Sequence, residues 1–160
     1  MATVYLALYK GNSVNWFERW QDNLIRKITR GQYSHCEIAV ERLEDCGQYD
    51  FRPMYDCYTS SPRDGGVRCK QINVNNGNWD LIPLPSATES QVRSYFAKTQ
   101  GKKYDWLGVL GLVLGLKQCR KKFFCSEWCY NAIFHSDEGW RFSPNDLAVM
   151  VKENCFAKNI

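Results

Sequence analysis

The sequence predicts a single α+β domain over residues 1–160, an antiparallel sheet or small barrel packed against helices. Three observations lead there. Near the start, "TVYLALY" and "SHCEIAV" alternate apolar and other residues with the period of a strand. Between residues 54 and 84, further short runs rich in β-branched and aromatic residues are cut by Gly- and Asn-rich turns. After Pro85 the spacing becomes helical, and no linker, repeat or low-complexity tract divides the chain.

In order, Val4, Leu6 and Leu8 alternate with Tyr5, Ala7 and Tyr9 in a first strand ended by Gly11. A helix follows from Val14 to Arg30, with Trp16, Trp20, Leu24 and Ile28 as its buried stripe and Gly31 as its stop. The strand from Ser34 sends His35, Glu37 and Ala39 to one face and Cys36, Ile38 and Val40 to the other. "ERLEDCGQYDFRP" reads as a long polar turn, "MYDCYTSS" as the return strand, "RDGG" as a turn, and "VRCKQINV" and "WDLIPL" as strands on either side of "NNGN". These strands form an antiparallel meander. Ser86 and Glu89 then supply a capping box for a helix running to Gly101. The segment beginning at Cys125 is helical, and a last helix has Ser143 as N-cap and Pro144 in its first turn.

Composition narrows the function. The chain is 44% apolar and 24% charged, a globular balance. A net charge of +4 is small for a nucleic-acid binder, and the clusters Arg26, Lys27, Arg30 and Arg120, Lys121, Lys122 read as solvated faces. "LGVLGLVLGL" has ten residues, half of the ~20 that a membrane span needs, and reads as a core helix. No secretory leader is visible, which suits a cytoplasmic, reducing compartment. The eight cysteines (36, 46, 57, 69, 119, 125, 129 and 155) are therefore expected as free thiols. With two histidines and no C-x-x-C pair, no metal site and no organic cofactor are expected.

Chemistry centres on Cys125. At a helix start its sulfur meets the positive end of the helix dipole, with Lys121 and Lys122 nearby; both favour thiolate. Free N–H groups of the first turn also suit an oxyanion. A base is needed, and histidine is the usual one. His135 follows Cys125 by ten residues, about 15 Å along a helix, which leaves His35. For the group that orients the imidazole, Glu37 lies about 6.5–7 Å along the same strand face. Asp56, Thr59 and Ser60 are offered by the return strand, with Glu37 and Thr59 preferred.

The order Ser34–His35, "GGVR", Gly101-Lys102-x-Tyr104-Asp105 and Cys125-Ser126-Glu127 resembles the circularly permuted branch of the NlpC-type papain-like cysteine hydrolases. That group also includes lecithin retinol acyltransferase-like enzymes. "SSPRDGGVR" resembles a version found in small proteins of bacteria and their phages, and the likeness runs from about Tyr5 to Leu147. The resemblance implies a papain-like fold, Cys125 as nucleophile, His35 as base and Tyr104 lining the substrate cleft. It implies peptide, cell-wall or acyl-lipid substrates, no nucleic acid, and a setting in a bacterial or phage-infected cytoplasm. In that family the third polar residue follows the histidine by about a dozen positions, and no acid of this chain aligns there. The alternative is a catalytically silent module of the same fold that binds a partner through Trp16, Trp20, Trp106 and Trp140.

Overall fold

A computed structural model describes residues 2–11, 13–45, 51–109 and 122–157. Its strands are β1 (Val4–Tyr9), β2 (His35–Asp45), β3 (Phe51–Ser61), β4 (Gly66–Ile72) and β5 (Trp79–Pro83). Its helices are α1 (Trp16–Thr29), α2 (Glu89–Thr99), α3 (Cys125–Phe134) and α4 (Pro144–Ala157), with a 3-10 turn at Gly139–Arg141. The class is α+β.

The five strands form one antiparallel sheet in the order β4-β3-β2-β1-β5. Only β2, β3 and β4 make a meander. Instead of pairing with β4, β5 crosses to the far edge and pairs with β1, so β1 is an interior strand rather than an edge. The "ERLED" part of the expected turn is strand: β2 runs through it to Asp45, and β3 starts at Phe51. The apolar segment "LGVLGLVLGL" lies outside the described residues from 110 onward.

Alternation divides the sheet as the sequence implies. Leu6, Leu8, Cys36, Ile38, Val40 and Tyr58 face the helices, where Val92, Trp128, Cys129, Leu147 and Val151 complete the main core. Ala7, Ala39, Tyr55, Cys57 and Val74 form a smaller cluster on the other face. Trp128 is fully buried, and its indole N–H donates to Thr99 Oγ1 at 2.9 Å, so α3 is pinned to α2 through a satisfied polar contact. Asn145 on α4 ties down the chain entering β2. It accepts from Tyr33 N at 3.0 Å and donates to Tyr33 O at 3.0 Å.

Three local expectations need correction. First, α2 is capped by Thr88 with Gln91, not by Ser86 with Glu89. Ser86 is held in a turn closed by Ala87 N donating to Leu84 O at 3.1 Å, so the helix starts later. Second, the left-handed residue ending α1 is Arg30 at φ 50°. Gly31 serves close approach instead: a Cβ there would stand 2.1 Å from the Asn145 side chain.

The third correction concerns the apolar stripe of α1. Trp16 and Trp20 are 78% and 57% exposed, Leu24 is also exposed, and Ile28 is half-buried. The buried residue of this helix is Asp22, 5% exposed, which accepts from Arg63 Nη2 at 3.2 Å. Its polar side faces the protein body. At the other end, Ser143 Oγ accepts from Asp146 N at 3.2 Å and the Asp146 carboxylate accepts from Ser143 N at 2.8 Å, a reciprocal cap for α4.

Candidate active site

The nucleophile candidate is placed by its neighbours in the chain. The segment from Gly101 to Asp105 crosses the end of β4: Val67 N donates to Lys102 O at 2.9 Å and Tyr104 N to Gly65 O at 2.9 Å. Gly66 permits this approach, because a Cβ there would lie 2.0 Å from Lys102 O. Phe123 O then accepts from both Asp105 N (3.0 Å) and Ser60 Oγ (2.7 Å). This fixes the strand-like Phe124, and α3 begins at Cys125. The first-turn N–H groups of Cys125 and Ser126 have no acceptor within the helix by construction. Ser126 Oγ donates to Phe142 O at 2.8 Å, which anchors the turn from the other side.

His35 opens β2 opposite Tyr9 of β1. Its Nε2 lies 3.1 Å from Glu37 Oε1, which leaves Nδ1 as the ring nitrogen free for the sulfur. Trp79 meets the ring edge-on, centroids 6.3 Å apart. Glu37 is buried and receives Arg68 with both arms, Nη1 to Oε2 at 2.8 Å and Nη2 to Oε1 at 2.7 Å. Arg68 also donates from Nε to Asp64 at 2.8 Å and from Nη1 to Cys57 O at 3.1 Å. A row of charges thus runs from Asp64 through Arg68 and Glu37 to His35. The bidentate guanidinium fixes the carboxylate that fixes the imidazole.

The electrostatics of Cys125 and His35 are reciprocal. The Cys36 thiol, hydrogen-bonding to the Cys125 sulfur, does most to hold Cys125 well below the usual thiol range. Burial opposes it, while the charge and hydrogen bond of His35 and the backbone of Cys36 assist. Burial alone would pull His35 down. The Cys125 thiolate, then Glu37, outweigh it and raise the imidazole to about 10. Cys36 goes the other way: burial and the neighbouring Cys125 and Cys129 sulfurs push it well up, so it stays a thiol donor. Glu37 is held below the usual carboxylate range, with His35 and Arg68 overcoming its burial. Both shifts favour thiolate beside imidazolium.

The remaining candidates lie elsewhere. Asp56 accepts from Arg42 Nε at 2.9 Å, away from the imidazole. Thr59 turns its hydroxyl to Cys36 O at 2.7 Å, so it buttresses the backbone beside the site. Ser60 is spent on Phe123 O. His135 is the left-handed C-cap of α3 at φ 52°, at the far end from Cys125. Of the tryptophans offered for partner binding, Trp106 is exposed and Trp140 is half-buried.

A cleft of about 190 Å³ opens on this row, bordered by Asp22, Ser34, His35, Glu37, Trp79 and Tyr104. Tyr104 and Ile25 border both this cleft and a small hollow against Cys125. Burial, reinforced by the Cys125 charge, pushes the Tyr104 phenol well up, so it remains neutral. Ser34 is the one buried side-chain polar atom among the described residues that lacks a partner, and it borders this cleft. Sequence reading missed Cys36, Ser34, Asp22 and Arg68 as parts of the site. Cys36 was signalled only by its adjacency to His35, and Arg68 by its place in "GGVR".

Among the described residues, no cluster of three or more His, Cys, Asp or Glu is arranged to hold a metal ion. No described helix is long and apolar enough to cross a membrane. Comparison with protein-family models, with curated proteins and with solved structures gives no match for this chain.

Proposed function

We propose that the protein is a cysteine hydrolase or acyltransferase of the permuted papain-like, NlpC-type class. The observation that carries this reading is the pairing of Cys125, first residue of α3, with an imidazole braced by Glu37 and Arg68. The Cys125 thiolate attacks an amide or ester carbonyl and forms a C–S bond. The carbonyl oxygen takes the negative charge and meets the first-turn N–H groups of α3. Collapse of this intermediate breaks the bond to the amine or alkoxide, which takes the proton from His35. Water, or an acceptor hydroxyl or amine, then attacks the thioester while His35 takes its proton, and the thiolate leaves. Glu37 is a positioning residue: it orients the imidazole and stabilises its charged form. Tyr104 walls the cleft. Peptide, cell-wall peptide and acyl-lipid carbonyls share this chemistry. The free thiols beside Cys125 suit a reducing bacterial or phage-infected cytoplasm.

Residue-resolved alkylation by iodoacetamide at neutral pH, paired with turnover of acyl-ester and peptide-amide probes, tests the proposal. Cys125 should be modified faster than any other cysteine, and Cys125→Ser should abolish turnover. Equal labelling of Cys125 and the buried Cys57, with no turnover of either probe, would transfer support to the silent binding module, which the exposed Trp16, Trp20 and Trp106 favour.

A further inference from the structure

Helix α1 is an amphipathic helix turned outward. Trp16, Trp20 and Leu24 follow one another at one-turn spacing on its exposed side, with Phe17 beside them. The rings of Phe17 and Trp20 stack with centroids 6.2 Å apart, so the patch is a contiguous aromatic surface. An apolar stripe of this kind ordinarily faces a core. Here the polar side does so, through Asp22 and Glu18, both of which pair with Arg63.

Charge follows the same division. The two acids of α1 are drawn inward to Arg63, whereas Arg19, Lys27 and Arg30 stay exposed around the aromatic surface. Among the charged side chains of α1 and its cap, those exposed beside the tryptophans and phenylalanine are therefore basic. Tryptophan favours the boundary between headgroups and acyl chains, and a basic rim favours anionic headgroups. A protein partner or a second copy would meet the aromatic surface equally well, but nothing in those occupants calls for the basic side chains that α1 sets beside it.

We infer that α1 docks the protein on an anionic lipid surface, with Trp16, Phe17 and Trp20 entering the headgroup boundary and Lys27 and Arg30 meeting the headgroup charge. The inner side of the same helix supplies Asp22 and Ile25 to the cleft that holds His35 and Glu37. Docking therefore brings the cleft to the level of the lipid headgroups.

Co-sedimentation of the full chain with vesicles tests this without any turnover, so its failure and that of the catalytic proposal are separate results. The vesicles are phosphatidylcholine alone and phosphatidylcholine with about one-third phosphatidylglycerol. The wild type should bind the anionic vesicles more tightly, and raised salt should weaken that preference. Trp16→Ser with Trp20→Ser should lower the partition at least about tenfold for rings of this size, with an unchanged circular dichroism spectrum. Lys27→Glu with Arg30→Glu should abolish the preference for anionic vesicles. The inference is overturned if the wild type stays in the supernatant with both vesicles, or if the tryptophan variant sediments as the wild type does. It is equally overturned if sedimentation equilibrium finds a dimer that the tryptophan substitutions dissociate.

Discussion

Replacing Glu37 by Gln keeps the shape of the side chain and removes its charge. Two effects follow from the geometry. The contact at 3.1 Å between His35 Nε2 and Glu37 Oε1 changes from an ion pair to a hydrogen bond onto a neutral amide oxygen. A hydrogen bond to a charged acceptor contributes about 1.5–3 kcal/mol and one to a neutral acceptor about 1 kcal/mol, so the imidazolium loses about 0.5–2 kcal/mol. At about 1.4 kcal/mol per pH unit, His35 should fall by about one unit. The change is read on the imidazole itself: the His35 titration, followed by NMR, should move down by about one pH unit. The second effect is on stability. Arg68 is left beside a neutral amide, although it retains Asp64 at 2.8 Å and Cys57 O at 3.1 Å. Breaking a buried pair outright costs about 3–5 kcal/mol, and the retained contacts bring the expected loss to about 2–3 kcal/mol. The sign is set by the depressed pKa of Glu37. Its contribution is present above the unfolded carboxylate value of about 4.3 and is lost as pH falls through the lower folded value. The gap in urea stability between wild type and variant should therefore be full at neutral pH and close in acid. The assay is NMR titration of the His35 imidazole across pH, with urea unfolding at two pH values. A His35 titration unmoved in a folded variant would refute the role assigned to Glu37.

Other substitutions probe the supports of the site. Cys36→Ala removes the thiol donor to Cys125, so the alkylation profile of Cys125 should shift to higher pH while the fold loses only about 1 kcal/mol, measured by urea unfolding. Gly66→Ala places a methyl group 2.0 Å from Lys102 O at a residue with φ 157°. It should cost about 2–4 kcal/mol by thermal unfolding and slow Cys125 alkylation, because the crossing that carries Tyr104 and Phe123 must move. Thr88→Ala removes the α2 cap and should cost about 1 kcal/mol without altering Cys125 reactivity, a control for purely global destabilisation.

What could be read ahead of the structure follows from which physical signals are local. The faces of β2 were legible because a strand alternates with period two, so His35 and Glu37 had to share a side. The choice among Glu37, Asp56 and Thr59 was not, because it depends on register across a hairpin. Pairing of Ile38 with Tyr58 puts Asp56 opposite Val40, within reach of Arg42, and brings Thr59 level with Glu37. Arg68 pairs in turn with Thr59 and reaches across it to Glu37, an interaction over three strands that no local pattern encodes. In α1 the period was right and its direction was wrong. Periodicity reveals that an apolar stripe exists; only Arg63, far along the chain, decides that Glu18 and Asp22 face inward. The cap of α2 failed differently. Ser86 with Glu89 and Thr88 with Gln91 satisfy the same spacing rule, and the turn at Leu84–Ala87 selects the second.

The placement of Cys36 explains why the site sits at the start of β2 rather than in the middle of the sheet. A strand residue can approach a helix sulfur only from the face that packs on the helix, and Cys36 does so inside the main core. An imidazole on the opposite face would be screened from that sulfur by the sheet itself. His35 escapes this because it is the first residue of the strand, where its ring can reach round the end. Glu37, one pleat further on, touches the imidazole and Arg68 on its own face. The strand end therefore separates two roles by position alone. Residues 35 and 36 tune the sulfur from two sides, and residue 37 tunes only the ring. The Asn145 contacts to Tyr33 gain their significance here, since they hold the strand end where this geometry depends on it.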